Sequence, residues 1–274
     1  MSHFKLLCLD IDGTLHDSQH IITPAVRTAV RWAREKKNII VALTSGRIPS
    51  NLAMEQKELG IDGPLVSYGG AYVSDGEQVL LSRTISPSVA RRSIAYAHEK
   101  GLTAFLYRGA CWYAEKRDWC YDYAEHVTRI PGKIVNFDSI LEQWELEDHL
   151  PNKVLLMSLD TSLVSTGFSE LSLEFTEDEA FPMLSGPRYL EIMPPHTDKG
   201  TGVRRLMEYL GINSPQVMSI GDYYNDLGMF RDSGFAVAMG NAPQEVKDAA
   251  DYVTASNDDD GVAAAIMKLL LDEK

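Results

Sequence analysis

Short apolar runs that stop abruptly at an acidic, hydroxyl or glycine residue recur along this chain. Phe4 to Leu9 stops at Asp10, Ile39 to Leu43 at Thr44-Ser45-Gly46, and Val217 to Ile220 at Gly221-Asp222. Runs of four to six apolar residues without alternation read as strands buried on both faces. Each is followed by a stretch of helical spacing. Thr23-Pro24, a hydroxyl N-cap with proline in the first turn, opens one in which the apolar positions Ala25, Val26, Ala29, Val30 and Ala33 keep helical spacing. Strand–helix alternation of this kind predicts right-handed crossovers and a parallel sheet.

The pattern breaks in the middle of the chain. Ala71 to Ser74 and Gln78 to Ser82 flank Asp75-Gly76, a hairpin signal. From Thr84 to Ser185 come three of the four tryptophans, with mixed strand and helix spacing. Strand–helix alternation resumes at Tyr189 to Met193, followed by a helix over Lys199 to Leu210, the Val217 strand, and further short elements to Leu271. The expectation is therefore an α/β protein: residues 1–83 and 186–274 form a parallel-sheet core, and 84–185 form an inserted α+β domain. Joints near 82–86 and 184–187 would let the insert hinge.

Composition narrows the function. Lys and Arg number 26 against 39 Asp and Glu in 274 residues, a net charge of −13. Such a surface has no general attraction for nucleic acid or for an anionic membrane. An anionic substrate must instead be held by local cations or by a metal. Three cysteines, Cys8, Cys111 and Cys120, are too few for a disulfide framework, and a reducing cytoplasm is expected. Cys8, inside a buried strand, reads as a small core residue. No run of 18 apolar residues occurs, and the first residues are too short in apolar length for a signal peptide.

Four clusters follow core strands, where an open parallel sheet places its ligand crevice. In Asp10-Ile11-Asp12-Gly13-Thr14, two carboxylates spaced i, i+2 leave a strand end together. One can serve as nucleophile and the other as general acid/base, with a metal quenching their repulsion. A surface turn is the plainer alternative; a calcium loop would need a third ligand and a distal Glu that this sequence lacks. Thr44-Ser45-Gly46-Arg47 offers a hydroxyl, free backbone N–H groups and a planar donor fork, suited to phosphate or to an ordinary helix cap. Asp198-Lys199-Gly200 opens a helix with a lysine that is catalytic or merely solvated. Gly221-Asp222-Tyr223-Tyr224-Asn225-Asp226 adds two carboxylates, oxygen donors fit for magnesium rather than zinc, or an acidic first helical turn.

In this order the four motifs resemble those of the haloacid dehalogenase superfamily of phosphohydrolases, in particular its Cof-type branch. There a Rossmann-like core carries a large α/β cap inserted between the second and third motifs. DIDGT, TSGR, DKG and GDYYND match the four motifs, and LEIMPP and NDDDGVAAAI are also similar to that branch. The resemblance covers both core segments; the insert matches in size and position. It implies that Asp10 is a nucleophile forming an aspartyl-phosphate, and that Asp12 protonates the leaving oxygen and then activates water. It implies Mg2+ held by Asp10, Asp222 and the Asp12 backbone carbonyl. Phosphate contacts fall to Ile11, Ser45, Gly46, Arg47, Lys199 and Asn225, with Asp226 orienting Lys199 or a metal-bound water. Gly69, in Tyr68-Gly69-Gly70-Ala71, stands where the branch usually has Asn.

The expected function is a magnesium-dependent phosphatase acting on small phosphorylated metabolites, sugar phosphates or phosphorylated cofactors. A phosphomutase would need the same motifs. A non-catalytic metabolite sensor would not need Asp10, Asp12 and Lys199, all of which are present. Tyr107, Arg108, Trp112 and Tyr113 are candidates for substrate choice in the insert, with packing inside the insert as the alternative. His196 and Arg47 are expected to border the pocket or to lie on the surface.

Overall fold

The computed structural model describes residues 3–271, so residues 1–2 and 272–274 of the expected core lie outside the described residues. The first segment runs β1 (Leu6–Asp10), α1 (Pro24–Lys37), β2 (Ile40–Thr44), α2 (Pro49–Leu59), β3 (Pro64–Ser67), β4 (Tyr72–Asp75) and β5 (Gln78–Ser82). The middle segment runs α3 (Pro87–Lys100), β6 (Thr103–Arg108), β7 (Cys111–Ala114), α4 (Trp119–Thr128), β8 (Lys133–Ile134) and α5 (Phe137–Leu146). It continues through β9 (Lys153–Met157), α6 (Thr161–Glu174), β10 (Phe181–Gly186) and β11 (Tyr189–Met193). The last runs α7 (Lys199–Leu210), β12 (Val217–Gly221), α8 (Leu227–Asp232), β13 (Phe235–Ala238), α9 (Gln244–Asp248), β14 (Tyr252–Val253) and α10 (Gly261–Leu271).

The first and last segments build one unit. Its sheet has the order β14-β13-β12-β1-β2-β3-β4-β5, parallel from β14 to β3 and antiparallel from β3 to β4. Alternation along β1 gives it two packed faces: Leu7 and Leu9 join Val26, Val30 and Ile266 on one side, while Leu6 and Cys8 join Val203, Leu206 and Met229 on the other. Chain order runs outward from β1 through β2 and β3, then restarts beside β1 at β12. The order therefore reverses between β1 and β12, where a doubly wound sheet opens its crevice.

The second unit spans Ser82–Thr197, with sheet order β10-β11-β9-β6-β7-β8, antiparallel except between β7 and β8. This departs from the expected boundary of 84–185. Tyr189 to Met193 does not rejoin the parallel sheet: β11 pairs antiparallel with β9 and β10, and the division falls between Thr197 and Asp198. Leu184 to Gly186, expected as a joint, is part of β10 and carries a register shift against β11. Trp112 is fully buried, edge-on to Phe105 and against Tyr121, and Tyr113 packs on Trp144. Tyr107 is also buried, so these three rings hold the unit together; Arg108 lies over the Trp144 ring.

Candidate active site

β1 ends at Asp10, whose register partner on β2 is Thr44, immediately before Ser45. On the other side Leu9 pairs with Ile220, immediately before Gly221 and Asp222. Parallel register thus delivers three of the four clusters to the same end of the sheet. The fourth arrives by helix capping. Asp198 accepts a hydrogen bond from the Thr201 N–H at 2.8 Å, fixing Lys199 as the first residue of α7. A Cβ on Gly200 would lie 2.4 Å from the Gly228 carbonyl oxygen, so glycine permits the close approach of α7 and α8 that brings Lys199 to Asp226.

Lys199 lies 2.5 Å from Asp10 Oδ1 and 2.5 Å from Asp226 Oδ1, and its side chain is 1% exposed. Asp226 is fully buried, and its other oxygen accepts the backbone N–H groups of Asp222 (2.9 Å) and Tyr223 (3.0 Å). Carboxylate oxygens of Asp10, Asp222 and Asp226 lie within 4.8 Å of one another. Burial first, and then the negative charge of Asp226, hold the Asp10 carboxyl well above its ordinary range, against the pull of Lys199. The same two causes push Asp222 up to about 6. For Lys199, burial favours the neutral amine, but Asp10 and Asp226 outweigh it and raise the ammonium's pKa.

Fully ionised, the three carboxylates exceed the one ammonium by two negative charges, the amount that one divalent cation neutralises. The donors nearest together are all oxygens, which suits a hard cation. The turn around this centre is built for close approach. Gly13 has φ +80°, and a Cβ there would meet Asp222 Oδ2 at 2.3 Å. Thr14 donates to Asp222 Oδ1 at 3.1 Å, while Asn241 donates to the Gly13 carbonyl at 2.9 Å and lies 3.4 Å from Asp222 Oδ2.

The remaining expected residues divide into two groups. Ser45 is buried beside the β2 end, and its hydroxyl accepts the Arg47 N–H at 3.2 Å. Ile11 is buried, and Gly46 half-buried. The structure does not leave the Asp12 side chain free: Arg47 holds it in a two-pronged ion pair, with Nε at 2.9 Å from Oδ2. Arg47 also reaches Glu55 at 3.2 Å. Asn225 is exposed. His196 belongs to the second unit, exposed and 2.8 Å from Asp178. Gly69 has φ +58° with nothing within 4 Å of a Cβ position. The Cys8 thiol is pushed up to about 12 by burial, which makes it inert. Sequence reasoning missed Thr14, Asn241 and Glu55. Thr14 lay inside the first motif, and the signal for Asn241 was its place just past the end of β13.

The pattern of the haloacid dehalogenase-like hydrolases matches residues 7–266, and the chain belongs to that family. A Haemophilus influenzae protein bearing a phosphatase name is 32% identical, over 99% of this chain and 98% of its own. A Bacillus subtilis 5-amino-6-(5-phospho-D-ribitylamino)uracil phosphatase is 28% identical, over 97% of this chain and 96% of its own. The crystal structure of a haloacid dehalogenase-like hydrolase from Bacteroides thetaiotaomicron superposes with a TM-score of 0.86 at 29% identity, covering 97% of this chain and 99% of that one. The chain is a phosphatase-type enzyme of this family. No helix among the described residues is long and apolar enough to cross a membrane.

Proposed function

We propose that this protein is a magnesium-dependent phosphatase of small phosphorylated metabolites, working through an aspartyl-phosphate on Asp10. The observation that carries the reading is Lys199, buried between Asp10 and Asp226 at the switch point of the sheet, with Asp222 completing an excess of negative charge. Asp10, Asp222 and the Asp12 backbone carbonyl would hold Mg2+, whose charge would offset that of the carboxylates and the phosphoryl oxygens. Asp226 keeps Lys199 in place.

A carboxylate oxygen of Asp10 attacks phosphorus, the bond from phosphorus to the leaving oxygen breaks, and Asp12 gives that oxygen its proton. Asp12 must first exchange Arg47 for the substrate. Asp12 then takes a proton from water as the water oxygen attacks phosphorus, and the bond to Asp10 breaks to release inorganic phosphate. Lys199, Ser45 and the neighbouring N–H groups meet the charge on the phosphoryl oxygens. Splitting the reaction in two spreads a barrier whose catalysed lowering is about 20 kcal/mol.

The inserted unit is assigned the choice of leaving group, and the named substrate of the Bacillus relative makes ribityl and sugar phosphates the first compounds to try. The test is phosphate release from a panel of such esters, with Mg2+ and with EDTA. Borohydride reduction during turnover should convert Asp10 to homoserine, the product of a reduced acyl phosphate. Full turnover in EDTA, or an unmodified Asp10, would overturn the reading. Appearance of an isomeric phosphate ester in place of inorganic phosphate would show a mutase instead.

A further inference from the structure

We propose that Asp12, His16 and His20 form a second metal site, distinct from the Asp10–Asp222–Asp226 centre, that takes a transition ion such as Zn2+. One ligand atom of each residue lies within 4.8 Å of the other two. Two imidazoles and one carboxylate form a donor set that prefers Zn2+, Cu2+ or Ni2+ to Mg2+. All three residues belong to the core unit, on the turn that follows β1 and the loop that leads to α1.

His16 supplies the independent sign of a ligand. Its side chain is 6% exposed, its Nε2 is 2.9 Å from Glu55 Oε2, and its Nδ1 is buried with no hydrogen-bond partner among the described residues. Buried polar atoms are rarely left unpaired. A carboxylate that accepts from one ring nitrogen fixes the tautomer and leaves the lone pair of the other for a metal, as carboxylates hydrogen-bonded to ligand histidines do at metal sites. Glu55 is placed to do this.

The loop that carries His20 is closed on itself before any ion arrives. Asp17 accepts the N–H groups of Gln19 and Ile21 at 2.9 Å each, and the His20 N–H donates to the Asp17 carbonyl at 3.0 Å. The Ser18 N–H is held by Asp258 at 2.8 Å, and Asn257 donates to the His16 carbonyl at 3.0 Å. His20 is thereby turned back to His16, with ring centroids 6.3 Å apart and the planes nearly perpendicular.

Asp12, Arg47, Glu55 and His16 form one continuous chain of contacts. An ion on Asp12 competes with Arg47 for that carboxylate. On the reading of Asp12 as general acid/base, it also withholds Asp12 from the leaving oxygen, so Zn2+ inhibits turnover even when Mg2+ is saturating. The site rests on geometry alone; the inhibition rests on the proposed function.

Calorimetric titration of Zn2+ into the full chain, in a large excess of Mg2+, separates the two. The wild type should bind one Zn2+. His20→Ala and His16→Gln should weaken it by about tenfold or more, whereas Asp222→Asn should leave it intact. Because His16 is buried and its variant could fold poorly, the exposed His20→Ala carries the decision. With Co2+ as the probe, visible bands of the wild type should vanish in His20→Ala. No Zn2+ binding over Mg2+, equal affinity in His20→Ala, or loss through Asp222→Asn would overturn the site. His20→Ala should keep its turnover in Mg2+ and resist Zn2+. Zn2+ that binds through His20 without slowing turnover would uphold the site and overturn the role of Asp12.

Discussion

Among the described residues, each unit of this protein buries one lysine, and the two lysines have opposite surroundings. In the inserted unit Lys153 lies 2.9 Å from Glu191, with its ammonium 4.9 Å from the centre of the Tyr107 ring, and Ser185 donates to the same Glu191 oxygen at 2.9 Å. One charge answers one charge. In the core, Lys199 meets Asp10 and Asp226 equally closely, with Asp222 beside them. A balanced buried pair is structural and roughly neutral for stability, provided both partners stay. An unbalanced set is held together by the rest of the fold and calls for charge from outside the chain, which is the electrostatic mark of a working site.

The largest effect expected from this contrast is on turnover. Asp10→Asn keeps the size of the side chain and its acceptor oxygen but removes the proposed nucleophile. Phosphate release should fall by about 10^4-fold or more, with an unchanged circular dichroism spectrum. Near wild-type turnover would make the core cluster as structural as the Lys153–Glu191 pair. The same substitution relieves crowding among carboxylates, so chemical denaturation of the metal-free variant should show no loss of stability.

Lys153→Met should do the reverse. It leaves Glu191 buried without its ammonium and should cost about 3–5 kcal/mol in denaturant unfolding. Turnover of an activated ester at a temperature where the variant stays folded should not change. Adding Glu191→Leu should recover most of the stability, since the stranded charge goes with it. A turnover loss that the double variant fails to restore would mean that Lys153 takes part in the reaction.

The contrast was only half legible in the sequence. Asp10, Ser45 and Asp222 could be placed together because each sits where an apolar run stops, and parallel strands stop at one edge. Lys199 could be placed by its capped helix. That Asp226 orients Lys199 followed only from the family resemblance; the simultaneous contact of Lys199 with Asp10 and Asp226 could not be read from the residues, since it depends on how closely α7 and α8 approach across Gly200. The Arg47 grip on Asp12 was hidden for a similar reason: both residues lay in recognised motifs, but a long side chain's partner is chosen in three dimensions. The strand β11 was misassigned because Tyr189-Leu190-Glu191-Ile192-Met193 has the composition of a parallel core strand. Its trace was Glu191: a charge in the middle of a buried run needs a partner, and Lys153 waits at the start of β9.

The smallest effect concerns the pH dependence of the unbalanced set. Asp222 titrates at about 6 in the fold against an ordinary 3.8, through burial and then Asp226. The folded state therefore holds this proton more tightly than the unfolded chain. Its contribution to stability is fully present below about pH 4 and is lost as the pH rises through 6. In EDTA at pH 7, Asp222→Asn, which cannot ionise yet can still accept from Thr14, should be the more stable protein by about 1 kcal/mol, or roughly 2–4 °C in Tm. The gap should close as the pH falls from 6 to 4, where both side chains are neutral. On the reading of Asp222 as a magnesium ligand, saturating Mg2+ at pH 7 should reverse the order, because the variant lacks that ligand and gains less binding energy. A variant less stable than the wild type in EDTA at pH 7 would show that Asp222 is already balanced, and the distinction between the two lysine sites would weaken with it.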